Sequence, residues 1–131
     1  MPQILVIDDD KDTCEFLKDF FEIRKCIVFT AHSGADGISI VKKEKPEIVL
    51  LDIKMEGMDG LETLKKIKSI DRSIKVVMVT VASDKEYRQK ALELGADDFI
   101  KKPLNSSYLE GVVCKKVSSL PKEGGKTNDK R

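Results

Sequence analysis

Tryptophan is absent, histidine occurs once, and five phenylalanines and two tyrosines are the only other large aromatics. Isoleucine, valine and leucine must therefore build most of any core. The three cysteines, Cys14, Cys26 and Cys114, are odd in number, far apart and form no C-x-x-C pair. That excludes a disulfide framework and a zinc-binding pattern, and they read as small buried apolar residues of a reducing compartment. No apolar run approaches the roughly 18 residues of a membrane span. Met1-Pro2-Gln3 leads into an apolar run without a signal-peptide pattern, so the expected location is cytoplasmic. Net charge is also nearly missing: 24 basic and 23 acidic residues leave a formal +1. A charge balance of this kind gives no electrostatic reason to expect nucleic-acid or membrane binding.

What is present is an alternation of short apolar runs with longer amphipathic stretches in 131 residues, enough for one domain that buries a core without a structural metal. Ile4-Leu5-Val6-Ile7, Cys26 to Thr30, Ile48-Val49-Leu50-Leu51, Lys75 to Thr80 and Phe99-Ile100 are expected strands. Continuous runs of this type suit strands buried on both faces. Between them, Lys11 to Arg24 carries Phe16, Leu17, Phe20 and Phe21 at helical spacing. Ser33 with Asp36, Asp59 with Glu62, and Ser83 with Glu86 are capping pairs. The first opens a helix through Lys43, the second a helix carrying Leu61, Leu64 and Ile67, and the third a helix that Gly95 ends. A last helix is expected from Ser106 to about Leu120, with Gly111 and the valines lowering its intrinsic helicity. Five β-α units in series imply an α/β fold, a doubly wound five-stranded parallel sheet with five helices. The folded domain is expected over residues 1–120. After Pro121, Lys122 to Arg131 carries no apolar side chain, and residues 121–131 read as a disordered tail or linker.

In such a sheet, ligands bind beyond the carboxyl ends of the strands. The first expected strand runs into Asp8-Asp9-Asp10, the third into Asp52, the fourth ends at Thr80, and the fifth is followed by Lys101-Lys102-Pro103. Clustered carboxylates repel each other, and a hard divalent cation removes that conflict. Oxygen ligands without histidine or cysteine point to Mg²⁺, or to Mn²⁺. A carboxylate beside that ion is suited to act as a nucleophile toward a phosphoryl group, with a lysine and a hydroxyl to receive the phosphoryl oxygens.

The string Ile4 to Asp10, the string Leu50 to Gly60 around Asp52, Thr80 after a valine-rich strand, and Lys102-Pro103 together resemble the response-regulator receiver family. The likeness runs over roughly residues 3 to 118 and, in size, is nearest the single-domain chemotaxis response regulators. It implies the flavodoxin-like strand order 2-1-3-4-5. By the same resemblance Asp52 is the phospho-acceptor and Asp9 a direct metal ligand, with Asp8 acting partly through water and the Lys54 backbone carbonyl as a further ligand. Thr80 and Lys102 then contact the phosphoryl group, and Phe99 takes the aromatic switch position. The implied partner is a sensor histidine kinase or phosphotransfer protein presenting phosphohistidine, with an output partner the sequence does not name. The implied role is two-component signalling rather than turnover, through a surface of helix four, strand five and helix five.

Other readings stand beside this one. Asp10 or Asp12 also suits a helix cap, Lys101 a solvated charge, and Phe99 an ordinary core aromatic. His32 reads as a surface loop residue, and Lys85, Arg88 and Lys90 as a solvated helix face. The family's usual Met-Pro-Gly after the acceptor is here Met55-Glu56-Gly57, and bulky Val81 follows Thr80. Those two departures are the only hints of a pseudo-receiver, a binding module of the same fold that is never phosphorylated, and the intact acids, Thr80 and Lys102 argue against it. A phosphohydrolase with an aspartate nucleophile would carry a second acid where Lys54 stands. Lys54 and Ala82 are also poorly suited to orient an attacking water, so slow self-dephosphorylation is expected.

Overall fold

The computed structural model describes residues 1–52, 59–80, 85–102, 104, 107, 109–114 and 116. Five parallel strands form one sheet: β1 (Gln3–Ile7), β2 (Ile27–Ala31), β3 (Ile48–Asp52), β4 (Lys75–Thr80) and β5 (Asp98–Lys101). Their order is β2-β1-β3-β4-β5, as the resemblance implied. Among the described residues four α-helices alternate with them: α1 (Lys11–Ile23), α2 (Gly34–Glu44), α3 (Gly60–Ile70) and α4 (Lys85–Glu93). A fifth helical segment, Leu109–Cys114, follows β5.

Side chains alternate between the two sheet faces, and the core divides accordingly. Ile4 and Val6 join Leu17, Phe21, Leu50, Leu109 and Val113 under α1 and the fifth helical segment. Leu5 and Ile7 join Val41, Leu51, Leu64, Met78 and Ala91 under α2, α3 and α4. The three central strands are thus buried on both sides, which is why they read as unbroken apolar runs.

Two of the three expected capping pairs fall where the sequence placed them, and the third, at Ser83, lies outside the described residues. Ser33 accepts from the Asp36 N–H at 3.1 Å, and Asp59 accepts from the Glu62 N–H at 2.8 Å. Gly95 leaves α4 with φ +101°, a backbone that side-chain-bearing residues rarely adopt. Three expectations shift. β2 begins at Ile27 rather than Cys26, because the Cys26 amide closes the end of α1 on the Phe21 carbonyl at 3.0 Å. Cys114 is half-buried, while Cys14 and Cys26 are buried. The last helix is not regular: Leu109–Cys114 is wound in the wider π-helical turn, across Gly111, Val112 and Val113, whose α-propensity is low. Ser106, Leu120 and residues 121–131 lie outside the described residues, as do Ser83 and Pro103.

Gly37 sits where α2 crosses β1. A Cβ there would collide with Ile7 Cδ1 and lie 2.8 Å from Ile7 Cγ1, on a fully buried side chain with little freedom to move. Gly37→Ala gains about 1 kcal/mol of helix propensity but incurs overpacking of about 1–3 kcal/mol. A net loss of stability is expected in urea unfolding. Gly111→Ala meets nothing within 4 Å and should raise stability by up to about 1 kcal/mol. An unchanged or higher midpoint for Gly37→Ala would contradict this packing.

Candidate functional site

The sheet register brings the chemistry together. Ile7 lies opposite Leu51, so the residues that follow, Asp8 and Asp52, emerge side by side. Asp52 lies opposite Val79, which puts Thr80 one residue beyond on the neighbouring strand. Thr80 in turn lies opposite Lys101, and the Lys102 N–H donates to the Thr80 carbonyl at 2.8 Å. Four strand ends therefore deliver two acids, a hydroxyl and an amine to one rim.

Asp8 and Asp52 are buried at 3% and 6% exposure, and Asp9 is exposed. One carboxylate oxygen from each of Asp8, Asp9 and Asp52 lies within 4.8 Å of the others. Lys102 Nζ donates to Asp52 Oδ2 at 3.4 Å and lies 3.9 Å from Asp8 Oδ2. Among the described residues, Lys102 is the ammonium that faces both buried carboxylates.

The Asp8 carboxyl shows the conflict. Burial pushes its pKa up to about 6, and the neighbouring Asp52 and Asp9 charges push the same way. The Asp10 N–H, donating to Asp8 Oδ1 at 2.9 Å, and the Lys102 ammonium pull it down without restoring the ordinary value. Oxygen donors that repel one another in a buried cleft, with one exposed acid at the mouth, fit a hard divalent cation.

The backbone beneath is held firmly. The Asp8 N–H donates to the Ala31 carbonyl at 3.0 Å, and the buried Cys14 thiol donates to the Asp8 carbonyl at 3.3 Å. Burial raises the Cys14 thiol to about 11. It is therefore a neutral packing group, as the sequence suggested. Asp10 is the N-cap of α1: it accepts from the Asp12 N–H at 3.0 Å and the Thr13 hydroxyl at 3.0 Å. Those two bonds hold its carboxyl below the usual range. An open cavity of about 420 Å³ beside the rim is lined by Asp10, Asp12, Thr13, Phe16, Lys102 and Leu104.

Of the site residues expected from sequence, Asp8, Asp9, Asp52, Thr80 and Lys102 meet at this rim. Phe99 lies half-buried on β5, three residues before Lys102. Lys54, Glu56, Val81 and Ala82 lie outside the described residues. His32 and Lys101 are exposed, as expected. Arg88 is not the solvated charge its neighbours Lys85 and Lys90 are: it is half-buried, with its guanidinium carbon 5.0 Å from the Phe99 ring centroid. Helical spacing alone does not reveal such a contact, because it joins two elements.

Comparison with known proteins agrees with this arrangement. Residues 4–113 match the family model of the response regulator receiver domain. The chain is 36% identical over 113 residues to sporulation initiation phosphotransferase F of Bacillus subtilis, covering 86% of this chain and 91% of that protein. It is 34% identical over 121 residues to the transcriptional regulatory protein ZraR of Salmonella typhimurium, covering 92% of this chain but only 27% of that relative. Among solved structures, a CheY-like response regulator receiver domain protein from Methanospirillum hungatei superposes with a TM-score of 0.85 at 30% identity, covering 90% of this chain and 94% of that one. The strand order, the acidic rim and the family match over 110 of 131 residues agree: the chain belongs to the response regulator receiver domain family of two-component signalling.

Proposed function

We propose that the chain is a phospho-acceptor switch that takes a phosphoryl group onto Asp52 from the phosphohistidine of a sensor histidine kinase or phosphotransfer protein. The observation that carries this reading is the Asp52 carboxylate held 3.4 Å from the Lys102 ammonium beside two further acids. An Asp52 oxygen forms the new bond to phosphorus, the phosphorus–nitrogen bond to the donor imidazole breaks, and the imidazole leaves with its electron pair. Lys102 neutralises charge on the phosphoryl oxygens, and the Thr80 hydroxyl, buried on the adjacent strand, donates to one of them. Asp8, Asp9, Asp52 and the Lys54 carbonyl would hold Mg²⁺, or Mn²⁺, which when bound supplies positive charge against the phosphoryl oxygens. Phosphorylation adds about −1.5 to −2 charges, which Lys102 and Thr80 contact only in that state. That difference biases the surface formed by α4, β5 and the fifth helical segment. The folded unit of this switch is proposed to end by residue 120, with signalling in the cytoplasm rather than turnover as its role. The name of the Bacillus relative, a phosphotransferase, is in keeping with phosphoryl chemistry at this rim.

Asp52→Asn is expected to take up no phosphoryl group from acetyl phosphate and Mg²⁺, while the wild type is labelled. Equal labelling of the variant would remove Asp52 from its role. The phosphorylated wild type is expected to outlast donor removal by minutes rather than seconds, as followed on phosphate-affinity gels; loss within seconds would contradict slow self-dephosphorylation.

The Asp8 shift makes a pH prediction. Its folded pKa, about 6, lies above the ordinary 3.8, so the native state holds the proton more tightly than the unfolded chain. That contribution is fully present below about pH 4 and is lost as pH rises through about 6, up to about 3 kcal/mol in all. Asn at position 8 keeps an acceptor for the Asp10 N–H and has no charge. With chelator present, the stability of Asp8→Asn relative to wild type should therefore rise between about pH 4.5 and about pH 7.5. Added Mg²⁺ should narrow that gap by stabilising the wild type. A gap independent of pH would contradict the buried carboxyl conflict.

A further inference from the structure

Phe99 and Arg88 form a contact that the phosphoryl site does not itself require. Phe99 lies opposite Met78 in the β4–β5 register, and Thr80 lies two residues beyond Met78. Residues two apart on a strand share a face, so Phe99 and Thr80 are diagonal neighbours on the same side of the sheet. The Phe99 ring packs half-buried against the core layer that contains Met78 and Ala91. The Arg88 guanidinium carbon lies over the ring, 5.0 Å from its centroid. Arg88 stands three residues before the fully buried Ala91, on the inner flank of α4, whereas Lys85 and Lys90 are exposed. Among the described residues no carboxylate pairs with Arg88, and its guanidinium lies over the ring.

We propose that Arg88 is a positioning residue for Phe99: its cation–π contact holds the ring half-buried and so opposes the phosphorylated state of the domain. The proposal rests on the phospho-acceptor reading above. When the Thr80 hydroxyl is drawn toward phosphoryl oxygens, space opens on its face of the sheet. Phe99, the diagonal neighbour, is the large side chain placed to fill it. A ring that turns inward abandons the guanidinium, so the contact exists in one state only. A contact made in one of two states shifts their equilibrium by its full strength, and the coupling is reciprocal. Occupation of the Asp52 site therefore releases Arg88 on the α4–β5 surface, with its planar donor array free for a carboxylate of a partner.

The test is the affinity of the full chain for beryllofluoride with Mg²⁺, measured for wild type, Arg88→Gln, Arg88→Lys, Phe99→Leu and the Phe99→Leu/Arg88→Gln pair. Arg88→Gln should bind about two- to five-fold more tightly than wild type, the range a cation–π contact at a partly exposed site gives. Arg88→Lys, which keeps a cation, should fall between them. In the Phe99→Leu background, Arg88→Gln should change nothing, since the partner ring is gone. Wild-type binding with no tightening in Arg88→Gln, or with the same tightening in the Phe99→Leu background, would overturn the positioning role and leave the phospho-acceptor reading intact. No binding by the wild type would overturn both.

Discussion

Two carboxylates, Asp8 and Asp52, are buried side by side at the end of a parallel sheet with the Lys102 ammonium beside both. The remainder of the structure makes that arrangement tolerable. β1 and β3 are fixed in register by their ladder, so the two acids cannot drift apart. Lys102 is tethered through its own N–H to the Thr80 carbonyl, so the cation stays at the rim. Asp9, exposed at the mouth, adds a third oxygen donor. Three carboxylate oxygens gathered at one rim beside a lysine suit the proposed capture of a hard cation and then of a phosphoryl group.

Much of this was legible in the chain because its signals are local or periodic. Unbroken apolar runs gave the strands, and Ser33, Asp59 and Gly95 marked helix boundaries through bonds and backbone geometry that depend on the next few residues only. The rim was legible for a related reason. In a parallel sheet every strand's last residue points to the same edge, so Asp8, Asp52, Thr80 and Lys102 could be grouped from position alone. What stayed hidden depends on contacts between elements. The half-buried Lys68–Asp97 pair, with Nζ 2.8 Å from the carboxylate, ties α3 to the residue just before β5 across 29 residues. The Arg88–Phe99 contact likewise spans two elements, and the π-helical winding of Leu109–Cys114 reflects packing as well as propensity. The one-residue offset of β2 arose because the Cys26 amide serves the end of α1, a competition that composition does not display.

The two halves of the core play different parts. The layer under α1 and the fifth helical segment fixes the acidic strand end, since Cys14 on α1 holds the Asp8 carbonyl from below. The layer under α2, α3 and α4 carries Met78, Ala91 and the half-buried Phe99, and so borders the face through which a change at Thr80 would be felt.

The central claim is that Asp52 is the acid that becomes phosphorylated, and it is tested most directly by locating the modification. The wild type, treated with acetyl phosphate and Mg²⁺, would be reduced with borohydride to trap the acyl phosphate and then sequenced by tandem mass spectrometry. The account predicts reduction products at residue 52 alone. Products at Asp8, Asp9 or any other acid, with residue 52 unmodified, would contradict it.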